Sequence, residues 1–141
     1  MIIDRENLLS LNQAITNTAD SEFVIDFGSD RDVGAGEPLA LFVHVTEDFV
    51  GTGTLIVVIE SSNDEALTGD VELLRSSTYD VSELTAGSRL LPVNLPRGVK
   101  RYLQLRYLVG GSAFTGGAVK AGLVRDVQDK KSFPSGIENL A

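Results

Sequence analysis

Apolar and polar residues along the chain alternate mostly with a period of two, the signature of strands with one buried face. In "EFVIDFG", residues 22–28, Phe23, Ile25 and Phe27 fall on one side, and Val24 and Asp26 on the other. "PLALFVHVT" sends Leu39, Leu41, Val43 and Val45 one way and Ala40, Phe42, His44 and Thr46 the other. "GTLIVVIE", residues 53–60, is apolar on both faces, as a central strand packed inside a sandwich would be. "GDVELLR" and "YDVSEL" read as short edge strands, and "SRLLPVNL" as a strand that Pro92 confines to an edge or a bulge. The clearest pattern is "VKRYLQLRYLV", with Leu103, Leu105, Tyr107 and Val109 on one face and Lys100, Tyr102, Gln104 and Arg106 on the other. "AVKAGLVRDV" closes the series with Val119, Ala121 and Leu123 on one side. About eight strands separated by turn signals predict an all-β sandwich or barrel.

The punctuation agrees. "LPRG", residues 95–98, suits a type I turn, and "GAGEP", "GTG" and "SSNDEALTG" carry the glycines and Asx residues that turns need. The stretch "LVGGSAFTGGAVKAGLV", residues 108–124, sets two Gly-Gly pairs around Phe114. A phosphate loop requires a helix after the glycines, whose N-terminus supplies donors. These glycines lead into a strand instead, so they are expected to form a hairpin loop. Phe114 at its tip would be either an exposed contact or a plug for the end of the sandwich. Near the start, "RENLLSLNQAI" spaces Leu8, Leu11 and Ile15 helically after Asp4, leaving a short helix and an extended arm as alternatives.

The chain has 141 residues and can fold as one domain without staples, since chains of about this size bury roughly 70% of their extended surface. With no cysteine, disulfides, zinc fingers and thiol nucleophiles are excluded. Twelve basic against twenty acidic residues give a net charge of -8, a surface that repels phosphate backbones, so no nucleic-acid partner is expected. The apolar run "LIVVI" is far short of the ~20 residues that span a bilayer, so no membrane partner is expected either. The opening "MIIDRENLL" meets an acid at its fourth residue and does not read as a secretory signal.

Candidate chemistry is sparse. His44 is the only histidine, where a cupin-type metal centre wants two or three and a nucleophilic triad wants a paired base. It is expected to be packed or half-exposed. "DRD", residues 30–32, and "NDE", residues 63–65, bring carboxylates close in loops without a calcium-loop pattern, and read as solvated turns. Glu60 and Asp26, both on strands, are the nearest approach to a glycosidase-like pair. Arg97, Lys100, Arg101 and Arg106, interleaved with Tyr102 and Tyr107, form the local basic concentration. They are expected to pair with acids of a protein partner or with the chain's own carboxylates. No catalytic residue, metal or cofactor is assigned, and the protein is not expected to be an enzyme.

Three segments carry a resemblance: "MIIDRENLL", "VIDFGSDRDVGAGEPLALFVHV" and "LPRGVKRYLQLRYLVGGSAFTGGAVKAGLV". Together they resemble capsid cement, or decoration, proteins of tailed bacteriophages, of the kind first seen on a Bordetella phage. The resemblance covers most of residues 1–127 and is strongest over 95–125. It implies a jelly-roll sandwich that oligomerises, as a dimer or trimer, on the outer face of the virion capsid and clamps the major capsid protein. The expected organisation is an N-terminal arm (1–20), a β-sandwich domain (21–127) and a polar C-terminal tail (128–141). Ile2, Ile3, Leu8, Leu9 and Leu11 of the arm, together with Arg97, Arg101 and Phe114, are the expected partner contacts. Two other classes of function are a carbohydrate- or receptor-binding phage module and a small jelly-roll hydrolase. Against the first stand the missing tryptophan and only three tyrosines, and against the second the missing histidine cluster.

Overall fold

The computed structural model describes residues 7–28, 40–67, 71–94 and 98–124. Ten strands succeed one another in these segments: β1 (Leu8–Ala14), β2 (Ala19–Asp20), β3 (Ile25–Asp26), β4 (Ala40–Val50), β5 (Thr54–Ser62), β6 (Val71–Arg75), β7 (Tyr79–Asp80), β8 (Arg89–Asn94), β9 (Tyr102–Gly110) and β10 (Gly116–Val124). They make two antiparallel sheets. One has the order β1-β10-β4-β8; the other runs β2-β9-β5-β6, with β3 also on β9 and β7 also on β5. Taking β2 with β3 and β6 with β7 as two interrupted strands leaves eight, in the order of a jelly roll. The fold is an all-β sandwich, as the period-two pattern predicts.

The alternation works because each sheet turns one row of side chains inward. Leu41, Val43 and Val45 of β4 and Val119, Ala121 and Leu123 of β10 meet Leu55, Val57 and Ile59 of β5 and Leu103, Leu105 and Tyr107 of β9 in one buried cluster. Across the sandwich the Tyr107 hydroxyl and Ser10 Oγ lie 2.7 Å apart, both buried, joining the second sheet to the first. Burial pushes the Tyr107 phenol well above its ordinary pKa, while the hydrogen bond to Ser10 works the other way. The outward row of β4 is also covered: Ala40 and Phe42 pack with Leu8 and Val124 in a second buried cluster. His44 is fully buried beside Phe42, their ring centroids 5.2 Å apart.

Four expectations change. First, residues 8–14 are neither helix nor arm. They form β1, which pairs with β10 along the sheet edge, because Leu9 there enters the main core and gains more than it could on a free arm. Second, the strand expected over "EFVIDFG" shrinks to Ile25–Asp26, and Phe23 and Val24 are exposed. The chain here serves two sheets. The Ser21 amide donates to the Leu105 carbonyl of β9, and the Phe23 amide to the Leu9 carbonyl of β1, so residues 21–23 close the seam between the sheets. Third, the glycines after β9 do not make a hairpin, because β9 and β10 belong to different sheets and the connection arches over the end of the sandwich. The same is true of "GTG" between β4 and β5. The two arches touch: a Cβ on Gly53 would collide with the Ser112 carbonyl oxygen, and Thr52 Oγ1 lies 2.6 Å from Ser112 Oγ. Fourth, Phe114 is the plug. It is 2% exposed and sits edge-on to Phe49, with ring centroids 4.9 Å apart.

If β1 belongs to the core, Leu9→Ala should lower unfolding free energy by ~2–5 kcal/mol, the range for a fully buried leucine. Urea denaturation monitored by circular dichroism measures it, and removal of residues 1–14 should abolish the cooperative transition.

Candidate functional site

The outward face of the second sheet carries a charged strip formed from four of its strands, β2, β3, β5 and β9. β9 contributes the row Tyr102, Gln104 and Arg106; β5 sets Ser62, Glu60 and Val58 directly opposite these three. On the far side of β9, Asp26 pairs with Tyr102 and Asp20 with Arg106. Arg106 therefore has an acid, Asp20, directly across the strands, an arrangement favourable for a cross-strand pair.

At one end of the strip Arg101 closes on Asp26. Its Nε and Nη2 donate to the two carboxylate oxygens at 2.9 and 3.1 Å, and the guanidinium lies over the Tyr102 ring, 5.0 Å from its centroid. Such a fork-on-fork pair is the strong geometry for an arginine and a carboxylate. The hydrogen bond from Arg101, and then that from the Gly28 amide, holds the Asp26 carboxyl below its ordinary value of 3.8; Asp26 raises Arg101 in turn. Both side chains are more than two-fifths exposed, so the pair locks the surface locally and adds little to stability.

At the other end is a cavity of about 220 Å³ lined by Asp20, Glu60, Ala66, Leu67, Gln104 and Arg106. Its floor is the β5–β9 ladder. Ala66 and Leu67 belong to the turn after β5, where Asp64 Oδ1 accepts from the Ala66 amide and its carbonyl from the Leu67 amide. Leu67 takes a positive φ of 58°, a conformation costly for a leucine and held by that turn. Glu60, with its side chain 8% exposed, accepts from Gln104 Nε2 at 3.0 Å. Arg106 reaches both acids, with Nε 3.7 Å from Asp20 Oδ1 and Nη1 3.8 Å from Glu60 Oε1. These are attractive charge contacts, longer than hydrogen bonds.

Several sequence expectations are located by this map. Arg101 and Arg106 pair with the chain's own carboxylates, and Tyr107 points into the core rather than onto a platform beside Tyr102. Glu60 and Asp26 do not form a carboxylate pair: β9 lies between them, and each engages a different arginine. Asp64 of "NDE" is used in a local turn bond, and Asn63 Oδ1 accepts from the distant Arg101 amide. Among the expected partner contacts, Leu8, Leu9 and Phe114 are buried and so are unavailable to a partner in this structure. Leu11 remains on the surface at 43% exposure, and Arg101 is exposed but engaged by Asp26. Ile2, Ile3, Arg97, the "DRD" loop and the tail 128–141 lie outside the described residues. No group of three or more histidine, aspartate or glutamate side chains among the described residues is placed to hold a metal ion. Asp20 is the member of the strip that sequence reasoning missed. It sits in the polar stretch "TNTAD", and only the β2–β9 pairing reveals its neighbour Arg106.

A family model described as Bbp16 matches residues 9–123, from the second residue of β1 to the penultimate residue of β10. That family's name points to a Bordetella phage protein. No curated protein matches the chain.

The Asp26–Arg101 lock has a pH signature. A carboxyl depressed on folding adds stability above its unfolded value, and that contribution disappears as pH falls through the lower folded value. Wild type and Asp26→Asn should therefore differ by a constant, small amount near neutrality. The difference should begin to shrink below about pH 3.8, the carboxyl's ordinary value, and vanish only below the lower folded value. Urea midpoints measured from pH 7 to pH 2.5 check this.

Proposed function

We propose that this chain, which belongs to the Bbp16 family, is a structural protein of the virion that cements the capsid. In this reading it binds the outer face of the major capsid protein shell, as a dimer or trimer, and its role is to hold neighbouring subunits together rather than to catalyse. The observation that carries the reading is the span of the family match, which takes in the whole sandwich from β1 to β10.

Physical features support it. Packed antiparallel sheets resist deformation, because every inner strand is hydrogen-bonded on both sides and the core joins the layers. The edges are guarded against uncontrolled strand addition. At β1 the Leu9 carbonyl is taken by the Phe23 amide and the Leu11 amide by Glu22 Oε1, while the outer strand β8 contains Pro92, whose nitrogen has no hydrogen to donate. A protein crowded in many copies on a shell gains from that protection. The net charge of -8 favours the outside of a shell over its DNA-filled interior.

Deleting the gene should give particles that assemble but release DNA at a lower temperature. Adding the purified protein back should restore the original release temperature. Particles of unchanged heat resistance that fail instead to adsorb to their host would overturn the cement role in favour of receptor binding.

A further inference from the structure

We propose that the seam between β1 and residues 21–24 is the face on which a second copy of this chain docks, with Leu11, Phe23 and Val24 set against the same three residues across a twofold axis. The inference rests on the capsid reading for the oligomer and adds which surface builds it.

Apolar exposure is the first argument. Among the described residues four large apolar side chains are exposed, and three of them are Leu11, Phe23 and Val24, at 43%, 36% and 40%. They come from separate segments that hydrogen bonds hold side by side. The Phe23 amide donates to the Leu9 carbonyl, and Glu22 Oε1 accepts from the Leu11 amide at 2.8 Å. Apolar groups collected in one place on a surface, rather than scattered singly, mark a contact for another protein. Further bonds run along the same margin, from the Glu22 amide to Gln13 Oε1 and from Gln13 Nε2 to the Asp20 carbonyl. With the backbone there engaged, the contact is made by side chains and not by adding a strand.

Charge decides which partner. The chain carries a net charge of -8, so two copies repel unless they meet where charge is absent or already matched. A twofold contact makes this condition strict, because it sets a patch against itself. Residues 8–15 carry no charge and residues 21–25 only Glu22, whose carboxylate accepts from the Leu11 amide. The flanking acids are matched by the chain's own arginines, Asp26 by Arg101 at 2.9 Å and Asp20 by Arg106 at 3.7 Å.

Val50, the fourth exposed apolar residue at 55%, has the opposite surroundings. Glu47 and Asp48 precede it on β4. The pairing of Thr54 with Asp80, and the bond from the Phe49 amide to the Leu84 carbonyl, bring Asp80 and Glu83 beside it. All four acids are exposed, and among the described residues none has a basic partner. A copy docked at Val50 would set acids against acids, whereas one docked at the seam sets apolar groups against apolar groups. Three partly exposed side chains make the centre of a contact smaller than the ~800 Å² per partner of a tight interface, so the dimer is reversible.

The test is sedimentation equilibrium of the full-length protein from about 10 µM to about 1 mM, with amide proton–nitrogen spectra over the same range. Wild type should pass from monomer to dimer, with concentration-dependent shifts at the amides of Leu11, Phe23 and Val24. Added salt should tighten the dimer by screening the repulsion between like-charged chains, where a contact built on ion pairs would weaken. Leu11→Gln combined with Val24→Thr, both at exposed positions, should weaken it about tenfold or more. Val50→Thr should dimerise like wild type. A circular dichroism melt checks that the variants fold; if the double variant does not, the wild-type shifts and salt dependence decide alone. A monomer throughout, a trimer, shifts centred elsewhere, or a dimer untouched by the double variant would overturn the inference. A monomer that still restores the heat resistance of particles lacking the gene would overturn it and leave the cement role standing. A seam dimer that fails to restore that resistance would do the reverse.

Discussion

Two sheets can share a core only if their inward rows face each other across about 10 Å, with side chains from both filling the gap. In this chain that condition is met by the inward rows of β4 and β10 on one side and β5 and β9 on the other, and the rest of the structure is arranged around it. A shift of one residue in any of these four strands would turn its core row outward, and the β5–β9 register runs unbroken from Thr54 to Ser62 while the β4–β10 register, bulged at its Gly116 end, runs unbroken from Val119 to Val124. Because consecutive strands mostly lie in opposite sheets, the chain must cross the end of the sandwich repeatedly. The arches at Gly53 and at 110–112 pack backbone against backbone, a contact that leaves no space for a Cβ at Gly53. Phe49 and Phe114 then seal the layer beneath them.

The same constraint decides what is left for the surface. With the inward rows committed, the second sheet's outward row is where polar chemistry collects. The chain spends part of its acidic excess there on its own arginines: Asp26 locks Arg101, and Asp20 and Glu60 share Arg106. The two ends of the strip differ in kind. The Arg101 end is satisfied, with short paired hydrogen bonds and an aromatic beneath it. The Arg106 end has longer charge contacts and a cavity beside them.

Much of this was legible in the sequence where burial and alternation agree. The strands from Ala40 to Ser62 and from Tyr102 to Val124 each repeat the apolar period long enough for packing to enforce it. The readings failed where the chain answers to two sheets at once. Leu8, Leu11 and Ile15 happen to fit a helical spacing, but β1 is bulged against β10 and carries Leu8 and Leu9 to two different clusters, which blurs the period of two. Phe23 looks like an inward strand residue, yet its amide is held by the first sheet while its neighbours bond to the second. The glycine pairs correctly signalled a bend, but a sequence does not say whether two strands joined by a bend pair with each other. Of the site, the alternation in "KRYLQLR" revealed the outward row of β9. The acids that meet it come from distant strands, and pairing alone brings them together.

The central claim is that this sandwich sits on the outside of a phage shell and joins its subunits. A three-dimensional reconstruction of the virion by electron cryomicroscopy tests it most directly. The two-sheet sandwich should fit density on the outer capsid surface, bridging adjacent major capsid subunits. Finding that density only on the tail or its fibres, or on the inner, DNA-facing side of the shell, would contradict it.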